Sequence, residues 1–292
     1  MDQKVTVKQR VSGFLNFVWN SDNKTLLGRG GRSWAEICFF YLIYYICLAS
    51  FFAGLLAVFY QTMDGQYPKL MGTDSLLKGN PGVGFKPMPD VDTTLIRYER
   101  SDAKQVKPYV DHINKFIKKY EEPKDSDNIV NCSGNAMRMT ETTACKVDLA
   151  EVIEKCGEDY GYAKGKPCIL LKLNKIFDWI PLPYEGDDLP GNMPEDLKQI
   201  YDNSSVWIAC EGENPGDQDN LGKIEYYPSQ GFSMRYYPYR NQKGYLQPLI
   251  MAHLKNMVHH VGIMIECKAW ARNIEHSRMH VQGSIHFEIL VD

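Results

Sequence analysis

The chain has 292 residues and a formal net charge of -3, because 36 acidic residues slightly outnumber 33 basic ones. This near balance excludes the strong positive charge of proteins that bind nucleic acid, so no nucleic-acid partner is expected. The length is sufficient for one domain with a substantial core, together with additional segments.

A run without any charged side chain occupies residues 37–63. Because a helix rises about 1.5 Å per residue, roughly 20 apolar residues cross a hydrocarbon core about 30 Å thick. A signal peptide has a shorter apolar core, of about 7 to 15 residues, close to the N-terminus. We therefore predict a transmembrane helix over residues 35–63.

The charges that flank this run predict its orientation. The segment before it contains six basic residues: Lys4, Lys8, Arg10, Lys24, Arg29 and Arg32. The twenty residues after it contain only Lys69 and Lys78. Cytoplasmic flanks are enriched in Lys and Arg, so residues 1–34 are expected to be a cytoplasmic arm of a type II protein. The arm is short and polar, and we expect no independent fold in it.

Helical spacing runs along the span from Tyr41 through Tyr45, Ala49 and Ala53, each four residues from the last. Small residues allow close helix contact, and tyrosine hydroxyls inside a bilayer require hydrogen-bond partners. This stripe favours an interface with another helix. The alternative is an interfacial aromatic belt followed by alanines that face lipid.

Glycine and proline are dense in the next stretch, residues 64–92, and oppose both a helix and a central strand. We predict an extended stalk there, followed by an ectodomain over residues 93–292.

Two helices are predicted early in this ectodomain. Apolar residues separated by 4, 3 and 4 positions predict the first: Val106, Val110, Ile113 and Ile117. A second is predicted over 148–155, where Asp148 has capping spacing to Glu151 and Gly157 can terminate the helix.

From Val206 onward apolar residues alternate with period 2, which indicates half-buried strands. Cys210 and Cys267 each fall on the apolar side of such a strand. A bond between them would cross the core, as the inter-sheet disulfide does in immunoglobulin-like folds. The predicted fold is thus one transmembrane α-helix plus a mainly-β ectodomain, an immunoglobulin-like β-sandwich with inserted helices.

Cysteines and sequons support an oxidising, exoplasmic compartment for this ectodomain. Cys38 and Cys47 lie in the apolar run, and six more follow it: Cys132, Cys145, Cys156, Cys168, Cys210 and Cys267. Six cysteines allow fifteen pairings, among which pairing of neighbours is the simplest hypothesis. Asn131 and Asn203 begin Asn-x-Ser sequons and are predicted glycosylation sites; Asn203 is favoured because Cys132 follows Asn131 directly.

Catalytic and metal-binding motifs give no positive signal. Residues 231–235 lack the second glycine of a nucleophile elbow, because Arg235 occupies its position. His276 and His280 are four apart, but the surrounding pattern is not helical, and a metal site is not expected. We predict a protein that is not an enzyme and has no cofactor.

Several long segments, in order, carry a family resemblance. They are FLNFVWN at 14–20, GYAKGKPCILLKLNK at 161–175, YYPY at 236–239, GYLQPL at 244–249 and IECKAW at 265–270. With them the chain resembles the beta subunits of the sodium/potassium-transporting ATPase, whose nearest relatives are the proton/potassium ATPase beta subunits. The resemblance covers the chain almost from end to end.

This resemblance implies a non-catalytic subunit that binds the catalytic alpha subunit of a P-type ATPase. Such subunits assist the folding of alpha and its delivery to the plasma membrane, and they modulate cation transport. Membrane lipid and a small single-span regulatory subunit are further implied partners. A proton/potassium pump subunit is the alternative, and a type II adhesion or receptor glycoprotein is a second one.

The resemblance also implies roles for individual residues. Tyr41, Tyr44 and Tyr45 match a membrane motif that packs against alpha. Residues 236–239 match an extracellular region that faces alpha, which gives Tyr236, Tyr237 and Tyr239 as interface residues; Arg240 stands where another tyrosine is common. The implied disulfides join Cys132 to Cys145, Cys156 to Cys168 and Cys210 to Cys267.

Overall fold

A computed structural model describes residues 7–76, 78–121, 128–132, 139–185 and 188–292. The chain divides into two compact units, one ending at Gly65 and the other comprising Gln66–Asp292. Each unit is described by itself.

The first unit contains two helices with a short hairpin between them. They are α1 (Val7–Val18), β1 (Trp19–Asn20), β2 (Thr25–Leu26) and α2 (Gly31–Gln61). The Asn20 side chain accepts hydrogen bonds from the backbone N–H groups of Asp22 and Asn23, each at 3.1 Å, and thereby fixes the hairpin turn. We expected no fold in this arm; it has secondary structure, although no residue from 12 to 65 is buried.

Helix α2 is long enough and apolar enough to cross a membrane. It has 31 residues, which corresponds to about 46 Å at 1.5 Å per residue, and none of them is buried. The helix ends where the Thr62 hydroxyl and backbone N–H both bond to the Phe59 carbonyl, at 2.7 and 3.0 Å. The helix predicted from the uncharged run is therefore present, it is one that could span a membrane, and it starts at Gly31.

The second unit is mainly β. Its strands are β3 (Val83–Lys86), β4 (Leu95–Tyr98), β5 (Ile129–Val130), β6 (Ala144–Cys145), β7 (Cys168–Leu173), β8 (Ser205–Gly212), β9 (Ile224–Tyr227), β10 (Gly231–Ser233), β11 (Leu249–Leu254), β12 (Ile263–Trp270) and β13 (Ser284–Val291). Its helices are α3 (Ala103–Glu121), α4 (Ala150–Cys156), α5 (Glu195–Ile200) and α6 (Pro215–Leu221).

Two larger sheets enclose one core. The five-stranded sheet has the order β10-β8-β12-β13-β4, and the four-stranded sheet has the order β3-β7-β11-β9. Within these two sheets, neighbouring strands are antiparallel except β13 and β4, which are parallel. Phe85 of one sheet stacks on Phe287 of the other with ring centroids 4.8 Å apart. The predicted mainly-β ectodomain is therefore confirmed.

Both predicted helices are present. In α3, Ile113 and Ile117 are fully buried on the core side, as their spacing requires. The Asp148 carboxylate accepts a hydrogen bond from the Ala150 N–H at 2.9 Å, next to the start of α4. Gly157, at φ 72°, then ends α4 in a conformation that glycine adopts readily.

Part of the predicted stalk belongs to the ectodomain sheet, which is a correction to the sequence prediction. Residues 83–86 form β3, an edge strand paired with β7, and its side chains Val83 and Phe85 are buried. The flanking glycines and prolines oppose a central strand, but an edge strand has one side free of ladder hydrogen bonds and tolerates them.

The position predicted for the Cys210–Cys267 bond is also wrong. These cysteines are direct partners in the β8–β12 ladder, with Cα atoms 3.9 Å apart. The bond therefore joins neighbouring strands of one sheet and does not link the two sheets. Period-2 patterning places both side chains on the core face, but it cannot distinguish adjacent strands from facing ones.

Candidate partner interface

An exposed aromatic surface lies on α2. Tyr41 stacks on Tyr45 with centroids 6.2 Å apart, and Tyr44 meets Tyr45 edge to face at 5.4 Å. At about 100° per residue these three positions cover an arc of roughly 100° on the helix. Their side chains are between 50% and 60% exposed, so no described residue of the first unit covers this surface.

The same stripe continues with small residues. Ala49 and Ala53 are exposed on α2, one and two turns beyond Tyr45. A helix surface with aromatic residues at one end and small residues at the other allows the backbone of a second helix to approach closely beside the rings.

The ectodomain tyrosines follow strand β10 and have different environments. Tyr236 donates a hydrogen bond to the Lys146 carbonyl at 3.3 Å. Tyr237 packs edge to face on the buried Trp179 at 5.5 Å, and its hydroxyl is enclosed without a partner among the described residues. Burial raises the pKa of both hydroxyls, that of Tyr237 well above its usual value, so both stay neutral.

Tyr239 belongs to a surface group that we call the Tyr239 cluster: Tyr67, Phe177, Tyr239 and Tyr245. The Tyr239 ring lies 4.8 Å from that of Tyr245 and 6.4 Å from that of Phe177, which in turn contacts Tyr67 at 5.7 Å. The ammonium group of Lys175 lies 4.8 Å from the Tyr239 ring centroid, within the range of a cation–π interaction. The cluster is thus an aromatic surface with an adjacent positive charge.

Arg240 ties this surface to two other segments. Its guanidinium donates to Asp178 at 2.6 Å and to Glu141 at 3.0 Å. The hydrogen bond with Asp178 is the main reason why the pKa of Arg240 is raised. Where the resemblance implied another tyrosine, this chain therefore has a paired cation.

Sequence reasoning identified Tyr239 but missed its neighbours. Phe177 and Asp178 lie about sixty positions earlier in the chain and carry no local motif. A bridge between Phe177 and Tyr239, with an Asp178 N–H to Tyr239 carbonyl bond of 2.7 Å, brings the segments together. Only long-range pairing assembles this site.

Three disulfides join the pairs that the resemblance implies: Cys132–Cys145, Cys156–Cys168 and Cys210–Cys267. The remaining cysteines, Cys38 and Cys47, are free and exposed on α2. Of the two sequon asparagines, Asn203 is exposed in the turn before β8. Asn131 is exposed too, while the third residue of its sequon, Ser133, lies outside the described residues.

Among the described residues, one group of metal-ligand residue types lies together, namely Cys156, Cys168 and His253. Its two sulfurs form a disulfide and offer no thiolate. His276 does not meet His280 as a ligand pair; its Nε2 lies 2.8 Å from the Ala269 carbonyl, and its ring contacts Trp270.

A compact polar cluster lies on β13. His286 contacts Glu213 through Nδ1 and Glu288 through Nε2, the latter at 2.6 Å. Glu213 also pairs with Arg278 at 3.0 Å, and Glu288 accepts a hydrogen bond from Thr94 at 2.8 Å. Burial lowers the pKa of His286, but the hydrogen bonds to the two carboxylates raise it more, so its net pKa is above the usual value.

A helix able to span a membrane, joined to a mainly-β ectodomain with three disulfides, places the chain among membrane proteins with a large domain on one side. Residues 4–287 match the family described as "Sodium / potassium ATPase beta chain". The chain therefore belongs to this family.

Individual relatives agree with this assignment. Sodium/potassium-transporting ATPase subunit beta-2 of Drosophila melanogaster is 40% identical, over 94% of this chain and 90% of its own length. The probable subunit beta-3 of Caenorhabditis briggsae is 36% identical, over 96% and 86%. Subunit beta-1 of Tetronarce californica is 32% identical, over 91% of each.

Proposed function

We propose that this chain is the non-catalytic beta subunit of a sodium/potassium-exchanging ATPase. In this role it binds the catalytic alpha subunit, assists the folding and plasma-membrane delivery of alpha, and modulates cation transport. The observation that carries the proposal is the exposed face formed by Tyr41, Tyr44 and Tyr45 on α2. The relatives are all named as subunits of a sodium/potassium-transporting ATPase, which supports the proposed partner and the proposed transported ions.

The physical argument concerns the tyrosine hydroxyls. Tyr44 and Tyr45 lie seven and eight residues after Ile37, the first residue of the uncharged run, which is about 11 Å along the helix and deeper than an interfacial belt requires. A hydroxyl in hydrocarbon without a hydrogen-bond partner is unfavourable. A neighbouring helix of alpha would supply acceptors, and measured interhelical hydrogen bonds contribute about 0.6 kcal/mol each on average.

The Tyr239 cluster supports a second contact with alpha, outside the membrane. Aromatic rings beside Lys175 and Arg240 resemble the aromatic and arginine anchors that dominate protein interfaces.

We further propose a type II orientation, with the N-terminus in the cytoplasm. The basic residues before α2 outnumber those after it, and all three disulfides follow it, as an oxidising exoplasmic space favours. Asn203 and Asn131 are the proposed glycosylation sites. Surrounding lipid and a small single-span regulatory subunit are the other proposed partners in the membrane.

The membrane contact is tested by replacing Tyr41, Tyr44 and Tyr45 together with leucine. The chain is co-expressed with a sodium/potassium ATPase alpha subunit, purified in mild detergent, and the recovered alpha is quantified. We expect normal membrane insertion, because leucine is as apolar as the span requires, and several-fold less alpha.

The matched control is a triple leucine variant on the opposite face of α2 at the same depth. It changes Phe39, Ile43 and Ile46, which are 64%, 46% and 56% exposed. We expect it to recover alpha normally. Equal recovery of alpha by both variants would contradict the proposed helix contact, and recovery of the unmodified chain without alpha would contradict the proposed function.

A further inference from the structure

The arm before α2 has a large exposed apolar surface. Phe14, Leu15, Phe17 and Trp19 lie within six successive positions of α1 and β1, and each is between 56% and 65% exposed. Leu26 and Leu27, across the hairpin, are also more than 40% exposed. We call these six residues the arm surface. Contiguous apolar exposure of this kind marks a contact with a membrane or another protein.

The arm surface is held beside the first turn of α2. The Leu27 N–H bonds to the Val18 carbonyl at 3.0 Å, which ties the hairpin to the end of α1. The Trp34 indole N–H donates to the Leu26 carbonyl at 2.9 Å, which ties the hairpin to α2. These bonds lie within the first unit, so the apolar groups are fixed where the membrane-spanning segment begins.

Charge around the arm surface is positive. From residue 7 to residue 36 the chain has five basic residues, Lys8, Arg10, Lys24, Arg29 and Arg32, and two acidic ones, Asp22 and Glu36. Arg32 pairs with Glu36 at 3.2 Å, but its side chain is 95% exposed. In sequence, Val7, Val11, Phe14 and Val18 are separated by 4, 3 and 4 positions, the spacing of one helical face.

We propose that the arm surface inserts into the headgroup region of an anionic membrane, with α1 lying in the plane of the bilayer. A helix with one apolar aromatic face and flanking Lys and Arg has the composition of interfacial helices. The attached span keeps this face at the bilayer, and the basic residues complement the charge of anionic headgroups. An anionic lipid surface, rather than a groove of a partner protein, therefore complements both the apolar side chains of the arm surface and the basic residues around it.

The test uses the full chain reconstituted without any partner into nanodiscs of phosphatidylcholine alone or of phosphatidylcholine with phosphatidylserine. Both leaflets have the same composition, so the result does not depend on the proposed orientation or on alpha binding. Amide hydrogen exchange is followed for residues 12–19. A helix of this length is marginal in water, so its exchange reports docking. We expect exchange to be about tenfold slower in the anionic discs.

Two double variants separate the contribution of the basic residues from that of the apolar rings. Arg29→Gln with Arg32→Gln keeps every apolar side chain and should remove most of the difference between the lipids, as should high salt. Phe14→Ser with Phe17→Ser should restore fast exchange in both lipids, whereas the control Asn16→Ser, at an exposed polar position, should not.

Equal exchange rates in the two lipids, whether fast or slow, would overturn the anionic-lipid assignment. Slow exchange that appears only after alpha is co-reconstituted would also overturn it, in favour of a protein partner. A loss of alpha binding in a chain that still shows the lipid difference would instead count against the proposed function alone.

Discussion

Replacing both cysteines of the Cys210–Cys267 bond with alanine gives the most informative perturbation of the ectodomain. The bond closes a loop with a sequence separation of 57, against 13 for Cys132–Cys145. In the chain-entropy estimate these loops correspond to about 4 and about 3 kcal/mol of stability. Loop length alone therefore predicts a difference of about 1 kcal/mol.

Position in the core adds a second difference. Cys210 and Cys267 lie in the main core between the two sheets, whereas Cys132 and Cys145 form a small separate cluster with Met139 and Ala144. Removing sulfur atoms from a closely packed core leaves voids, and we expect this to add about 1 kcal/mol per truncated side chain. A small cluster at the edge can collapse more easily, so its added cost is lower.

The Cys156–Cys168 bond separates these two effects. Its sequence separation of 12 nearly equals that of Cys132–Cys145, but both of its cysteines belong to the main core. We expect the loss of stability to be largest for the 210–267 pair, intermediate for 156–168 and smallest for 132–145.

The assay is urea unfolding of the full chain in mild detergent, followed by tryptophan fluorescence, with cell-surface biotinylation as a second measurement. If removal of the Cys156–Cys168 bond lowers the free energy of unfolding as much as removal of the Cys132–Cys145 bond, loop length rather than core position sets the order. If removal of the Cys132–Cys145 bond lowers the free energy of unfolding the most, both the loop-length argument and the core-position argument are wrong.

Three further predictions concern other sites. Tyr239→Leu should reduce alpha recovery several-fold with at most a small fall in the urea midpoint, because its ring is only half-buried; co-purification and urea unfolding measure the two effects. Asn203→Gln should remove one glycosidase-sensitive step in gel mobility, because this exposed asparagine precedes β8. His286→Gln should remove a pH-dependent contribution of up to about 1 kcal/mol, measured as the difference in unfolding free energy from the unmodified chain across pH.

The sign of the last effect follows from the raised pKa of His286. The protonated imidazole is favoured in the folded state, so its contribution is complete below the unfolded pKa of about 6.5 and is lost as pH rises through the higher folded value. A difference that grows with pH would contradict this argument. A large fall in the urea midpoint of Tyr239→Leu would show that the ring acts mainly in folding and not in alpha binding. Unchanged mobility of Asn203→Gln would exclude a glycan at that position.

Features encoded by local patterns were predictable from the sequence. The span follows from an uncharged run whose length matches a bilayer, and α3 follows from Ile113 and Ile117 recurring on one helical face. Strand β13 follows from apolar residues at every second position. Each signal lies within one segment, so its interpretation requires no knowledge of what packs against it.

Pairing between distant segments was not predictable in the same way. Period 2 put Cys210 and Cys267 on the core side, but only the ladder between β8 and β12 made them neighbours within one sheet. Likewise Val83 and Phe85 became strand residues only because β7 offers an edge to a segment rich in glycine and proline.

The sequence by itself determined the membrane span, the elements with strong periodicity and, through the family, the tyrosine face of α2. Only the tertiary structure decided that Tyr239 meets Phe177 and that Arg240 pairs with Asp178 and Glu141. The physical reason is range: periodicity reports burial within one element, whereas contacts between elements depend on which strand edges and loops the whole fold brings together.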